Sequence, residues 1–174
     1  MNKKRGKQSI AFAAPPVLAA AATVVGPMEE EGLLGGQYDK VLADNLDGQG
    51  SWEKCESAML EWVVRKAVER TGATLADIDF ILAGDLLNQL MSAHFAARGL
   101  GRPFLGLYGA CSTMSESLLL GAVLLDGGFA ARVAAAVSSH HDAAERQYRF
   151  PTELGVQRPL LAQWTVTGAG AVVL

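Results

Sequence analysis

Cysteine is scarce in this chain, with only Cys55 and Cys111 in 174 residues. Two thiols build no disulfide framework, so the fold has to rest on its core, and a reducing compartment is the simpler setting. Charge is sparse too, at 19% Asp, Glu, Lys and Arg with a formal net of -3. That leaves no basic stripe of the kind a phosphate backbone requires, and nucleic acid is not an expected partner. The three histidines have no third ligand at a recognised spacing, so no metal site is expected. No internal repeat and no low-complexity tail appear, and the apolar runs are too short and broken for a membrane-spanning helix.

What the chain does have is small apolar residues. Hydrophobic side chains make up 50% of it, and much of the excess over an ordinary soluble domain is alanine, with glycine beside it. This reads as tight packing rather than membrane character. The length suits one ordinary domain with a sizeable core. The start, "MNKKRGKQSIAFAAPPVLAAAATVV", combines basic residues, an apolar run and small residues in the manner of a secretory signal, but Pro15-Pro16 interrupts it where a signal helix would form.

Along the chain, "VLAAAATVVG" reads as a strand and "PMEEEGLLGGQYD" as a loop. Ser51 is placed to cap a helix over "WEKCESAMLEWVVRKAVERTG" that ends at Gly72. Its apolar groups recur at three- and four-residue spacings, which makes Cys55 a core or half-buried residue. A strand over "TLADIDFILAG", a short helix over "DLLNQLMSAHFAARGLG" and a strand at "RPFLGLYGA" follow. Then come a helix from Cys111, a strand at "ARVAAAVSS", a polar loop or loop-helix, and a closing strand pair in "QWTVTGAGAVVL". Alternating strands and helices predict an α/β fold with a mainly parallel sheet. The stretch "LLLGAVLL", Leu118 to Leu125, is apolar or glycine throughout. A helix apolar on every side has to be buried on every side, and this chain supplies strands for one sheet only. Half of a larger fold is therefore expected.

Cys111 stands where a strand turns into that helix. There the first N–H groups and the positive end of the helix dipole favour a thiolate, and the same groups can hold an oxyanion or a carboxylate. Position alone leaves it open whether Cys111 is a nucleophile, the wall of a ligand pocket or simply a small residue that fits the turn. Ser112 and Thr113 bring hydroxyls to the first turn. Asp85 and Asn88 lie just past a strand end, and His140 and His141 just past another, on the rim where a parallel sheet builds its sites. Arg146 or Arg149 can pair with a carboxylate, or either can be a surface charge. His94, in mid-helix, reads as solvated or partly packed.

The blocks "GACSTMSESL", "AGDLLNQ", "DGGFA", "SSHHDAAERQYRFPTELG" and "QWTVTGAGAVVL" resemble the stage V sporulation protein AD family of spore-forming bacteria, and "KRGKQS", "VVGPMEEEGLLGGQYD" and "SWEKCES" extend the likeness to the N-terminus. The resemblance implies a thiolase-like fold, layered α-β-α-β-α, in which two similar halves pack about a pseudo-twofold axis. Residues 1–174 would be the N-terminal half, and the all-apolar helix the central one that meets its counterpart. The resemblance places Cys111 at the position of the catalytic cysteine of thiolases and ketoacyl synthases. It also implies a protein that binds dipicolinic acid (pyridine-2,6-dicarboxylate) and serves its uptake into the developing spore and its release at germination. Such a protein works with other products of the same sporulation operon, peripherally at the inner spore membrane, and is neither secreted nor dependent on a cofactor. The ligand-binding set expected on this basis is Cys111, Ser112, Thr113, Asp85, Asn88, His140 and Arg146. Two departures stand out: the later His and Asn of condensing enzymes would lie in a second half, and Leu160-Leu161 replaces the smaller or polar residues expected there. Self-association or a complementary C-terminal half is expected to cover the apolar helix. The rival reading is an acyl-transfer enzyme with Cys111 as nucleophile; a purely structural partner in a membrane-associated assembly is the third.

Overall fold

A computed structural model of the chain describes residues 3–148 and 163–174. Arg149 and Leu160-Leu161 lie outside the described residues. In chain order the strands are β1 (Lys4–Arg5), β2 (Ser9–Ile10), β3 (Ala20–Val25), β4 (Lys40–Val41), β5 (Phe80–Gly84), β6 (Phe104–Gly106), β7 (Val133–Ser139) and β8 (Gly168–Val173). The helices are α1 (Pro27–Glu30), α2 (Trp52–Arg70), α3 (Met91–Leu100), α4 (Thr113–Asp126) and α5 (His141–Tyr148).

Strands β1 and β2 form a small antiparallel hairpin. The other six make one sheet in the order β4-β3-β8-β7-β5-β6. β3 pairs parallel with β4, and β5 pairs parallel with both β6 and β7. β8 lies between β3 and β7, antiparallel to each. The sheet is therefore mainly parallel, with one strand running against the rest. The expected closing strand pair is a correction: only Gly168–Val173 joins the sheet. Of the residues before it, the Thr167 carbonyl accepts from the Gly26 N–H at 2.8 Å, and further backbone groups bond to side chains. Ser139 Oγ donates to the Val166 carbonyl at 2.6 Å, and the Thr167 N–H donates to Glu29 Oε1 at 3.0 Å.

Helix α2 begins as its sequence predicts, with Ser51 Oγ accepting from the Lys54 N–H at 3.3 Å. Its buried stripe of Cys55, Met59, Leu60, Val63, Val64, Ala67 and Val68 packs on the small side chains of the sheet, Ala22, Ala134, Ala136, Ala169 and Ala171 among them. Alanines let the helix axis approach the sheet closely, which accounts for their abundance. α3 starts later than expected. Leu87 to Leu90 form a turn in which Gln89 (φ 61) and Leu90 (φ 53) are both left-handed, a costly conformation for non-glycine residues. The helix then closes on Gly101, at φ 64.

Alternation along the strands separates two faces. Ile81 and Ala83 belong to the core under α2 and α3, while Leu82 and Val133 belong to a second cluster with Leu124 and Leu125 of α4. α4 meets the sheet through small residues at four-residue spacing, Thr113, Ser117 and Gly121, with Ala122 beside them. A Cβ on Gly121 would stand 2.7 Å from Leu174 Cδ1 and 3.3 Å from Val133 Cγ1, so glycine sets the closeness of this contact. The bulky face points away: Leu119 is 48% exposed, Leu120 36% and Val123 38%. The all-apolar helix thus buries its small side and leaves its large side open.

That open face generates a test. Residues 1–174 expressed alone are expected to self-associate through α4, and Leu119→Gln with Val123→Gln should shift the population toward monomer. Sedimentation velocity reads the outcome; a compact, cooperatively melting wild-type monomer would show that the face needs no cover.

Candidate functional site

The site begins at the end of β5. A Cβ on Gly84 would lie 1.9 Å from the Leu107 carbonyl oxygen, so only glycine lets the segment after β6 close onto β5. The Leu107 N–H donates to the Ala83 carbonyl at 2.9 Å and fixes the junction. Ala110 then takes φ 47, and a short 3₁₀ turn over Ala110–Ser112 runs into α4. This left-handed alanine immediately precedes Cys111, which is exposed. Ser112 is exposed as well and donates its hydroxyl to the Gly109 carbonyl at 2.8 Å.

Cys111 opens into a cleft of about 470 Å³ lined by Leu86, Met114, Val137, Ser138, Ser139 and residues 163–166. The far wall is braced from α5. The His141 ring stacks on Trp164 at 3.8 Å with 5° between the planes, and its Nδ1 lies 3.1 Å from the Thr165 carbonyl. Thr165 Oγ1 donates to Glu145 Oε1 at 2.8 Å. The lining offers one thiol, hydroxyls and an indole, and none of the chain's three imidazoles is part of it.

The other expected site residues divide. Asp85 and Asn88 do not line the cleft; Leu86, between them in the chain, does. Asp85 is 1% exposed. Its carboxylate accepts from the Leu87 N–H at 2.7 Å and the Ala93 N–H at 2.6 Å, capping the first turn of α3. Burial raises its pKa against those bonds, so Asp85 is a structural cap and not an open ligand. Asn88 is exposed, and its backbone N–H donates to Gln147 Oε1 at 2.9 Å.

Three expectations are corrected. Thr113 is fully buried against the sheet, so its hydroxyl does not face solvent. His140 is fully buried also; its Nε2 lies 2.7 Å from the Asn45 carbonyl, which requires the proton on Nε2. Desolvation lowers its pKa and keeps the ring neutral. Arg146 pairs with Glu53 and lies 5.1 Å from the Trp52 ring centre. It lines a separate depression between α2 and α3, with Met91 and Phe95.

One residue escaped the sequence reading. Glu56 lies on the buried stripe of α2 and is fully buried. Ser138 Oγ donates to its Oε1 at 3.0 Å, and Ser92 Oγ is 3.2 Å from its Oε2 and 3.2 Å from the Glu53 carbonyl. Burial first, and the neighbouring Asp85 second, push Glu56 up to about 8. A neutral acid satisfies every partner at once: Ser138 donates to the carbonyl oxygen, the acid proton goes to Ser92, and the Ser92 proton goes to the Glu53 carbonyl. The signal was legible, since an acid three, four and seven residues before Met59, Leu60 and Val63 shares their face.

Comparison with known proteins now bears on this geometry. Residues 6–174 match the family model described as Stage V sporulation protein AD. The chain belongs to that family. It is 47% identical over 172 residues to the stage V sporulation protein AD of Bacillus subtilis (strain 168), covering 99% of this chain and 51% of that protein. The chain thus spans about half the length of this relative. Among solved structures, an OleA variant from Xanthomonas campestris aligns over 93% of this chain and 56% of its own, with TM-score 0.64 at 15% identity. The 3-oxoacyl-[acyl-carrier-protein] synthase III of Aquifex aeolicus VF5 aligns over 90% and 52%, with TM-score 0.59 at 14% identity. The priming β-ketosynthase of the R1128 polyketide pathway aligns over 90% and 48%, with TM-score 0.57 at 18% identity. These likenesses establish a thiolase-like fold.

Two measurements follow from the site. Iodoacetamide should label Cys111 far faster than Cys55, which is 1% exposed and pushed up to about 11, chiefly by burial; peptide mapping that finds Cys55 modified first would refute this. Glu56 makes stability depend on pH. Its folded-state pKa is raised, so its contribution is complete below the ordinary value of 4.5, declines as pH rises, and is exhausted once pH passes about 8. Glu56→Gln, which mimics the neutral acid, should flatten that decline in urea melts between those limits; an unchanged slope would show that Glu56 does not titrate there.

Proposed function

We propose that this member of the sporulation family binds dipicolinic acid in the cleft beside Cys111, and that the protein containing it supports dipicolinate uptake into the developing spore and release at germination. The observation that carries the reading is the cleft itself. It is open to solvent, placed at the start of a fourteen-residue helix, and lined by an indole, hydroxyls and one small thiol. A planar aromatic ring suits the indole wall, and first-turn N–H groups of α4 can donate to a carboxylate, whereas the hydroxyl protons of Ser138, Ser139 and Thr165 already go to Glu56, the Val166 carbonyl and Glu145. The family's place in sporulation supports the ligand class. No helix among the described residues is long and apolar enough to cross a membrane. Work at the inner spore membrane would therefore engage this part of the protein at the surface, together with products of the same operon. A complementary second half, or a second copy, is the proposed cover for the open face of α4.

The alternative is acyl transfer with Cys111 as nucleophile. Two observations favour it: the exposed cysteine at a strained strand–helix junction, and the condensing enzymes that share the fold. Such chemistry needs a base, and no imidazole of this chain lines the cleft; a second half would have to supply it.

Calorimetric titration of the full-length protein distinguishes them. Reversible dipicolinate binding is expected, weakened about tenfold or more by Cys111→Trp, which fills the cleft, and little changed by Cys111→Ala. Equal loss in both variants, with a covalent acyl adduct on wild-type Cys111 after incubation with acyl-CoA, would establish the enzyme instead.

A further inference from the structure

Helix α5 takes hold of the cleft from two sides. At its C-terminal end Tyr148 donates its hydroxyl to the Leu86 carbonyl, and Gln147 Oε1 accepts the Asn88 N–H at 2.9 Å. Both bonds fall on the loop that carries Leu86 into the lining. At its N-terminal end the His141 N–H donates to Thr167 Oγ1 at 3.0 Å. The His141 Nδ1 lies 3.1 Å from the Thr165 carbonyl, which requires a proton on Nδ1. One turn later, Glu145 accepts the Thr165 hydroxyl at 2.8 Å.

Trp164 sits among these ties. Its indole lies against the His141 imidazole with ring centres 3.8 Å apart and planes 5° from parallel. One face of the indole is thereby taken, and a second ring can reach it only from the opposite side. Trp164 lines the cleft and is 44% exposed. From the turn into α4, Cys111 and Met114 bring two sulfur atoms to the same cleft. Sulfur is polarizable and makes favourable contacts with aromatic rings. The serine and threonine hydroxyls of the lining already have acceptors. What distinguishes one bound anion from another here is therefore the shape and face of its carbon skeleton.

We propose that His141 is a positioning residue that makes the cleft select flat aromatic anions over aliphatic ones, by holding the Trp164 indole as a ready stacking wall. The inference rests on the reading of the cleft as an anion site and deepens it by naming what that site selects. An unbraced indole turns about its side-chain torsions, and a ligand that stacks on it has to stop that motion. The imidazole stops it beforehand, and the bond from Nδ1 to the Thr165 carbonyl keeps the imidazole itself from turning. An aliphatic dicarboxylate gains nothing from this, since it has no face to stack. His141 is not part of the lining, so it acts through Trp164.

The test is calorimetric titration of the full-length protein with dipicolinate, isophthalate and glutarate. Isophthalate keeps the flat ring and loses the ring nitrogen; glutarate keeps the spacing of the carboxylates and loses the ring. Both aromatic anions are expected to bind roughly tenfold more tightly than glutarate. His141→Ala should weaken them about fivefold and leave glutarate unchanged. His141→Phe keeps a ring against the indole and should restore most of that loss. His141→Asn keeps a donor for the Thr165 carbonyl and should restore little. Trp164→Leu should abolish the preference for a ring while glutarate binds as before. Failure of dipicolinate alone, with isophthalate bound in a His141-dependent way, would remove the dipicolinate reading and leave the stacking wall standing. Dipicolinate binding that falls by the same factor as glutarate binding in His141→Ala would make the brace merely structural, overturning the proposal while the dipicolinate reading survives. Equal wild-type affinity for ring and chain, no binding of either aromatic anion, or a Phe variant no better than the Ala variant would overturn it as well.

Discussion

The close approach of the Leu107 carbonyl to Gly84 is the constraint from which the functional end of this fold is built. A side chain at residue 84 would occupy the place of that oxygen, so β6 and the turn after it can close on β5 only because nothing is there. Asp85 comes next, and its two short bonds to the Leu87 and Ala93 N–H groups set where α3 starts. One glycine and one aspartate thus determine two junctions, one carrying Cys111 and the other carrying the loop through Leu86. The left-handed residues Ala110, Gln89 and Leu90 fall in these same two turns. Of these, Ala110 lines the cleft itself, and such strain is retained where the surrounding structure enforces it.

Under that edge lies a second consequence. Asp85 and Glu56 are both buried, and the charge on Asp85 makes ionisation of Glu56 more costly. Two buried carboxylates cannot both be charged cheaply, so one is held as the acid. The partners settle which: Asp85 accepts backbone donors that favour a carboxylate, whereas Glu56 meets hydroxyls that can take or give a proton. The result ties α2, α3 and β7 together with hydrogen bonds and without a buried net charge at Glu56.

Much of this was legible from residue types. Ser51, the apolar stripe through Cys55 and the turn at Gly72 give α2 without ambiguity, and the alternation of strands and helices gives the α/β class. The place of Cys111 at a strand–helix junction was readable too. The position of β8 was not, because nothing in "GAGAVV" says that it runs antiparallel between β3 and β7; that depends on partners more than 25 residues away in sequence. Side-chain direction was the other loss. His140 and Arg146 lie near the correct rim, yet a ring turned inward to the Asn45 carbonyl and a guanidinium captured by Glu53 cannot serve a ligand beside Cys111. Thr113 failed for a related reason: on a helix that meets the sheet through its small residues, threonine counts as small before it counts as polar.

The same economy explains why α4 can be apolar all round and still organise two distinct surfaces. Its fully buried residues are small, so the backbone itself comes down onto β5 and β7; Leu124 and Leu125 pack on Leu82 and Val133, while Leu119 and Leu120 stay exposed. A helix seated that closely leaves no room for a side chain at Gly121, where a Cβ would already meet Leu174 and Val133. Its two ends carry different features. At one end the first turn carries the cysteine; at the other Asp126 holds the basic hairpin through Lys3 and the backbone of Ala13 and Ala14. Small side chains in the middle of α4 are what seat it against the sheet between those two ends.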